Sequence, residues 1–284
     1  MNQSPGFPTV ARPDPAATRP LVVSNPHAGE DVPDEERPLY LGDVDALLRD
    51  GDLYVDRLVE GAEVYGATVL GTPWSRFVID LNRLPDDTSA RSVAGTRARR
   101  GPGYYGDRGI IWAVTTHGEP IYRRPLKRRE FERRRDRYYT PYHDRLAAEL
   151  ADLRERFGSV VLLDAHSMPS RAARMHSDRS GAARADIVPG DVDGTSCAPW
   201  LSDLVEQWWR DAGYTVRRNQ PYRGGGITRR HADPANGVHA IQLEVNRALY
   251  MDEDTLEPHD GLQTLRADYQ QFIRALAEAS LAHC

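Results

Sequence analysis

Residues 160–167 read Val-Val-Leu-Leu-Asp-Ala-His-Ser, a short apolar run that ends on an Asp, a His and a Ser. A continuous run of this length, preceded by Gly158, suits a strand covered on both faces, as at the centre of a parallel sheet. Parallel neighbours need long crossover connections, and these are usually helices. The rest of the chain supplies both kinds of element. LVVS at 21–24 and VHAIQLEVN at 238–246 are further apolar runs, and TVLGTP (68–73), RFVIDLN (76–82) and YTVRRNQPY (214–222) also read as strands. Helical periodicity covers 43–66 as one or two amphipathic helices with a break at Gly51, and then 124–157, 199–212 and 255–282. The alternation predicts an α/β fold: a three-layer domain with a mostly parallel central sheet and helices on both faces.

With 284 residues the chain is long enough for one substantial core. The proline-rich residues 1–20 read as a flexible, extended arm, and 21–284 as a single domain. Two aperiodic stretches, about 84–120 and 170–198, read as long functional excursions, because strong elements flank them. A net charge of −5 argues against a general nucleic-acid or anionic-membrane binder. No apolar run approaches the roughly 18 residues of a membrane span, and the mean hydropathy is −0.61. The only cysteines are Cys197 and Cys284, and no basic-then-apolar leader is present. These features suit reduced thiols in a cytoplasmic protein, a monomer or small homo-oligomer. The basic stretch 123–137 holds nine Lys or Arg and three acidic residues. It reads as the solvated face of a long helix, with an RNA-binding surface as the alternative.

In parallel α/β sheets, chemistry gathers at the carboxyl ends of the strands. Three segments fall there: Asn-Pro-His-Ala-Gly-Glu after LVVS, Asp-Ala-His-Ser, and Leu-Glu-Val-Asn-Arg. His27 follows Pro26, and Glu30 lies three residues on, a spacing that lets both reach one ion if the loop turns sharply. His166 lies two residues after Asp164, on the same side of its strand, so Asp164 can orient the imidazole. Catalytic zinc sites use three protein ligands, often two His and a carboxylate, and keep a fourth position open. Taken singly, each histidine could equally be a loop or strand-end residue satisfied by the backbone. Their convergence at matched strand ends favours a divalent metal, zinc by donor type. Glu244 shares a strand face with Gln242 and Asn246. A carboxylate there is costly unless paired or functional, and it suits a general base acting on water. Ser167 reads as a substrate hydrogen-bonder. Arg83 and Arg229 read as carboxylate clamps, which implies a small acidic substrate. No Gly-x-Ser-x-Gly elbow and no phosphate loop occurs.

Taken together, S-N-P-H-A-G-E-D-V-P, V-I-D-L-N-R, L-L-D-A-H-S-M-P, D-G-T-S-C, G-G-x-I-T-R and Q-L-E-V-N-R-A-L-Y-M-D-E run in order from about residue 21 to 253. This series resembles the N-formylglutamate amidohydrolase family. The resemblance implies an architecture similar to zinc carboxypeptidases and hydrolysis of N-formyl-L-glutamate to formate and L-glutamate, late in histidine degradation. It also implies metal binding by His27 and His166, the base role for Glu244, and substrate contacts from Asn82, Arg83, Arg229, Asn246 and Arg247. The third ligand stays open between Glu30 and the two aspartates of D-L-Y-V-D-R, Asp52 and Asp56. The sequence Arg-His-Ala-Asp after Arg229 and the arginine-rich 91–108 depart from the family's usual form. A hydrolase for another acidic N-acyl amino acid or short peptide is therefore an alternative. A non-enzymatic carboxylate- or RNA-binding protein is the alternative from another class.

Overall fold

The computed structural model describes residues 7–176 and 178–283. Six strands form one sheet: β1 (Thr9–Ala11), β2 (Leu21–Asn25), β3 (Thr68–Gly71), β4 (Val160–Met168), β5 (Ile187–Gly190) and β6 (Val238–Asn246). Their spatial order is β1-β3-β2-β4-β6-β5. The inner four strands are parallel, and β1 and β5 close the two edges antiparallel. The mostly parallel α/β sheet expected from the sequence is present. β4 is buried at every position, as its continuous apolar run requires.

Side chains alternate between the two faces of each strand, and the faces differ. Leu21, Val23, Val161, Leu163, Ala165, Ile241, Leu243 and Val245 are apolar to the strand ends and pack one core. Helices α1 (Val55–Val59), α4 (Pro199–Asp211) and α6 (Gly261–Ala282) cover that face. The other face carries Val22, Val160, Leu162 and Ala240 against α3 (Thr140–Phe157). Helix α2 (Arg128–Arg134) runs into α3 through a π turn at Arg135–Tyr139. Toward the carboxyl edge this second face turns polar. Ser24, Asp164, His166, Gln242 and Glu244 follow the same alternation and are all buried. Period-two patterning thus places a polar floor at one end of an apolar wall.

Several expected elements take other forms. The segment 76–82 is not a strand but an irregular, buried run. The free edge of β3 is already taken by β1, so no ladder is left for it. Buried side chains satisfy its carbonyls instead. Arg134 donates to Val78 O (2.8 Å), Tyr40 to Phe77 O (2.9 Å) and His143 Nε2 to Leu81 O (3.0 Å). The pairing of Thr9–Ala11 with β3 also means that this stretch of the expected arm is an ordered edge strand; residues 1–6 lie outside the described residues. The segment 214–222 makes a single bridge, Ile187↔Val216, beside β5. Pro189 lacks a donor and Asn219 is left-handed (φ 61°), so the ladder stops there. β5 itself arises inside the excursion expected over 170–198. The region 43–66 breaks into short pieces around extended Gly51 and left-handed Tyr54. Among the described residues, no helix is long and apolar enough to cross a membrane.

Two histidines pin the helix layer to the site. His143 Nδ1 accepts from His231 Nε2 at 2.8 Å in α5 (Gly226–His231), and the rings stack at 5.1 Å. With Nε2 of His143 donating to Leu81, this chain of hydrogen bonds requires the His143 ring neutral. Burial pushes His143 well below its ordinary 6.5 and, together with Arg230, takes His231 down to about 4. The unfolded chain therefore binds more protons below pH 6.5, so stability is complete above that pH and falls as pH drops toward about 4. Each group contributes a slope of up to about 1.4 kcal/mol per pH unit. Urea unfolding of H143Q/H231Q at pH 7.5 and 5.5 should show a smaller pH dependence than the parent. An unchanged difference would refute this account.

Candidate metal centre and cavity

His27, Asp52 and His166 offer ligand atoms that all lie within 4.8 Å of one another, and all three are buried. Each arrives for a separate reason. His27 follows β2, where Pro26 stiffens the exit. Asp52 lies in the loop before α1, and its backbone N–H donates to His27 O at 3.1 Å. His166 ends the inward row of β4 and stands directly across the ladder from Glu244 of β6.

The hydrogen bonds set which nitrogens point into the group. His27 Nε2 lies 2.7 Å from Asp80 Oδ1, which leaves Nδ1 as a buried atom with no hydrogen-bond partner. That Nδ1 is 3.5 Å from Asp52 Oδ2, and His166 Nδ1 is 2.9 Å from the same oxygen. His166 Nε2 lies 3.2 Å from Asp164 Oδ2. Both rings thus turn Nδ1 inward; Nε2 of His27 meets a carboxylate, and Nε2 of His166 lies between Asp164 and the Asn82 amide Nδ2 at 3.0 Å, neighbours of the kind that orient metal-bound histidines. Burial opposes ionisation of Asp52, but the two histidines outweigh it and hold the carboxyl well below the usual range. Burial likewise opposes the His166 cation, but Asp164 and Asp52 win and raise its pKa well above 6.5. A proton and a metal ion compete for that same Nδ1 lone pair. The orphaned Nδ1 of His27 and the ionised Asp52 fit a divalent cation.

Asp80 anchors this arrangement. At 0% exposure it faces His27, the Asn82 backbone N–H (2.8 Å), Arg76 Nη2 (2.8 Å) and Trp112 Nε1 (2.9 Å). Burial raises its pKa, and Arg76, Arg83 and His27 more than reverse that, leaving it well below the usual range.

The group opens onto a cavity of about 740 Å³. Asn82, Arg83, Ser167, Arg229, Glu244 and Arg247 line it. Asn82 accepts from Ile227 N (2.8 Å) and donates to Gln242 (3.2 Å). The Gly-Gly-Gly run makes that clasp feasible: a Cβ on Gly225 would lie 2.4 Å from the Asn82 amide. Ser167 accepts from Arg247 Nε at 3.1 Å, and Arg247 Nη2 reaches Asp52 Oδ1 at 3.2 Å. Arg229 donates to Gly224 O at 3.2 Å. Gln242 donates to Glu244 at 2.8 Å, and burial pushes the Glu244 carboxyl up to about 7.

Two expectations are corrected. Glu30 is exposed and stands outside the metal group; its charged neighbours are Asp56, Arg57, Asp31 and Asp45. After His27 the chain does not turn back. It runs alongside 72–75, with Gly29 against Pro73 and Asp31 N donating to Pro73 O at 2.9 Å. Asp52, one of the two rivals, stands with the two histidines in this group, and Asp56 does not. Asn246 is not a cavity residue. It accepts from Ala248 N (3.1 Å) and donates to Ala185 O (3.3 Å), capping the turn after β6. Asp80, Arg76, Trp112, Arg108 and Tyr222 were not singled out from the sequence. Asp80 had a signal, its place in Val-Ile-Asp-Leu-Asn-Arg; the others sit in aperiodic stretches or look like ordinary surface arginines.

A family profile described as N-formylglutamate amidohydrolase matches residues 19–251. The N-formylglutamate deformylase of Pseudomonas putida is 34% identical over 266 residues, covering 93% of this chain and 92% of that protein. That of Pseudomonas aeruginosa is 35% identical over 266 residues, with 93% of each chain covered. The crystal structure of N-formylglutamate amidohydrolase from Ralstonia eutropha JMP134 superposes with a TM-score of 0.89 at 36% identity, covering 98% of this chain and 99% of that one. A solved chain from Agrobacterium tumefaciens, 24% identical with a TM-score of 0.65, shares the fold.

Asp80 touches the ring of His27 and not the ion position. D80N should therefore weaken zinc binding about 10–100-fold without abolishing it. Competition against a chromophoric chelator measures this, and parental affinity in D80N would overturn the assigned role.

Proposed function

This chain belongs to the N-formylglutamate amidohydrolase family, and from that premise we propose that it hydrolyses N-formyl-L-glutamate to formate and L-glutamate, late in histidine degradation. The observation that carries this reading is the meeting of two imidazole Nδ1 atoms and the Asp52 carboxylate at the floor of an arginine-walled cavity, with Glu244 opposite His166. Two nitrogens and one carboxylate oxygen suit zinc, and we extend the proposal to an architecture like that of zinc carboxypeptidases. A divalent ion held there would polarise the formyl carbonyl and lower the pKa of a water toward about 7.

The protein's own residues do the rest. Glu244, oriented by Gln242, takes a proton from the attacking water and returns it to the leaving amide nitrogen. The C–N bond breaks as the water oxygen joins the formyl carbon, so formate and the free amine of glutamate are the products. Asp80 faces Nε2 of His27, Asp164 and the Asn82 amide face Nε2 of His166, and these contacts keep each Nδ1 directed at the reaction centre. Arginines of the wall bind the substrate carboxylates with paired N–H groups. All three ligands come from one chain, so the proposal needs no second subunit. We place the enzyme in the cytoplasm with its small acidic substrate.

Zinc-loaded protein should release formate from N-formyl-L-glutamate. E244Q should lower kcat by about 100–10,000-fold at unchanged zinc content. H27A should lose both zinc and activity. Formate release by metal-free H27A at the parental rate would sink the metal reading. A panel of other acidic N-acyl amino acids tests substrate identity, and failure of the loaded parent on N-formylglutamate alone would refute that assignment.

A further inference from the structure

Most cations of the cavity wall are already paired. Arg76 is bound to Asp80 (2.8 Å), Arg247 to Asp52 (3.2 Å) and Arg223 to Asp193 (2.9 Å). Two others, Arg108 and Arg229, have no ion pair with a carboxylate among the described residues, and Arg229 turns its Nε to the Gly224 carbonyl of its own loop (3.2 Å). Arg108 belongs to the long excursion and is partly buried beside Arg83. Burial lowers its pKa and the Arg83 charge lowers it further, with Tyr222 and Asp50 offsetting only some of that. A cation kept in that setting is electrostatically unsatisfied, and an incoming carboxylate relieves it.

The residue is also held in place. Arg83 Nε donates to the Arg108 carbonyl at 3.0 Å, which fixes the backbone. Its Nη2 donates to the Met175 carbonyl, and the guanidinium lies 5.6 Å from the Trp112 ring centroid. One edge of the fork is thereby occupied, and among the described residues Nε and Nη1 have no hydrogen-bond partner. A positioned guanidinium with free N–H groups facing a cavity is suited to carboxylate recognition.

Its place in the cavity indicates which carboxylate. Arg76 and Arg247 reach Asp52 beside the two histidines (3.6 and 3.2 Å), so these arginines are committed at the floor. Arg108 makes its side-chain contacts within the excursions, with the Met175 carbonyl and the Trp112 ring, and among the described residues bonds to none of His27, Asp52 and His166. In N-formylglutamate the α-carboxylate sits next to the carbon bearing the scissile nitrogen, and the side-chain carboxylate sits two methylenes beyond. Resting on the deformylase reading, we infer that Arg108 receives the side-chain carboxylate of the substrate and sets the preference for an acidic side chain.

The test compares kcat/KM for N-formyl-L-glutamate and N-formyl-L-glutamine in the zinc-loaded parent, R108Q and R108M. The two substrates differ only in the charge and hydrogen bonding of the side-chain terminus. The parent should favour the glutamate compound, and the variants should lose about 10–100-fold of that preference, through KM, with kcat little changed. R108M keeps an unbranched stem against Trp112, so it reads the same ratio should R108Q fail to fold. Equal losses on both substrates would mean that Arg108 only braces the two excursions, and would overturn the proposal. So would loss of discrimination against the α-amide of N-formylglutamate with the side-chain preference intact, since Arg108 would then read the α-carboxylate. A loaded parent inactive on all three compounds would overturn the deformylase reading itself, and the inference with it.

Discussion

An ionised carboxylate removed from water costs several kcal/mol unless its oxygens are matched by donors. Asp80, wholly buried, meets that condition through Arg76, Trp112, His27 and the Asn82 backbone. These four contacts tie together β2's exit, the irregular run 76–82 and the long excursion. Removing any one partner leaves a buried charge less fully matched. The site's geometry and the folding of the excursion therefore rest on the same carboxylate. Asp52 has a similar role between the two histidines and Arg247.

The sheet explains why the polar groups can be buried at all. One face is apolar along its whole length and packs α1, α4 and α6. The other is apolar only at the amino-terminal half, where α3 covers it. The carboxyl half is left for Asp164, His166, Gln242 and Glu244, and the excursions roof it with donors. The pairing His166↔Glu244 follows from the parallel register that begins at Val160↔Val238. A slip of one residue would turn Glu244 into the apolar core.

What could be read from the sequence tracks how local the determining interaction is. β4 and β6 were legible because continuous apolar runs and strand periodicity are properties of neighbouring residues. His27 and His166 were legible because both lie at strand ends. The segment 76–82 has strand-like composition, but its fate depended on whether β3 still had a free edge, and residues 9–11 decided that from a distant stretch of the chain. Glu30 was favoured by spacing alone; the path of the chain along 72–75 carried it outward. Asp52 is far from His166 in sequence, and only the fold could choose it over Asp56. Asn246 shares strand parity with Glu244, yet the chain turns immediately after it, so its side chain is used for capping. The family resemblance supplied Arg83, Arg229 and Arg247 together, but it could not sort free cations from those committed to Asp80 or Asp52.

That sorting bears on how the cavity works. Negative charge is concentrated at the floor, in Asp52, Asp80 and Asp164 around the two imidazoles, and the walls are rich in arginine. A cation is drawn to the floor and an anion to the walls. A substrate that carries carboxylates at one end and a neutral formamide at the other has one favourable orientation in such a field, with the formamide toward the floor. The arginines nearest the floor are neutralised by Asp80 and Asp52, so they do not compete for the carboxylates there. Separating paired from unpaired arginines along the cavity thus converts a simple excess of positive charge into a direction. Arg108 of the first excursion and Arg229 of α5 supply the unpaired end.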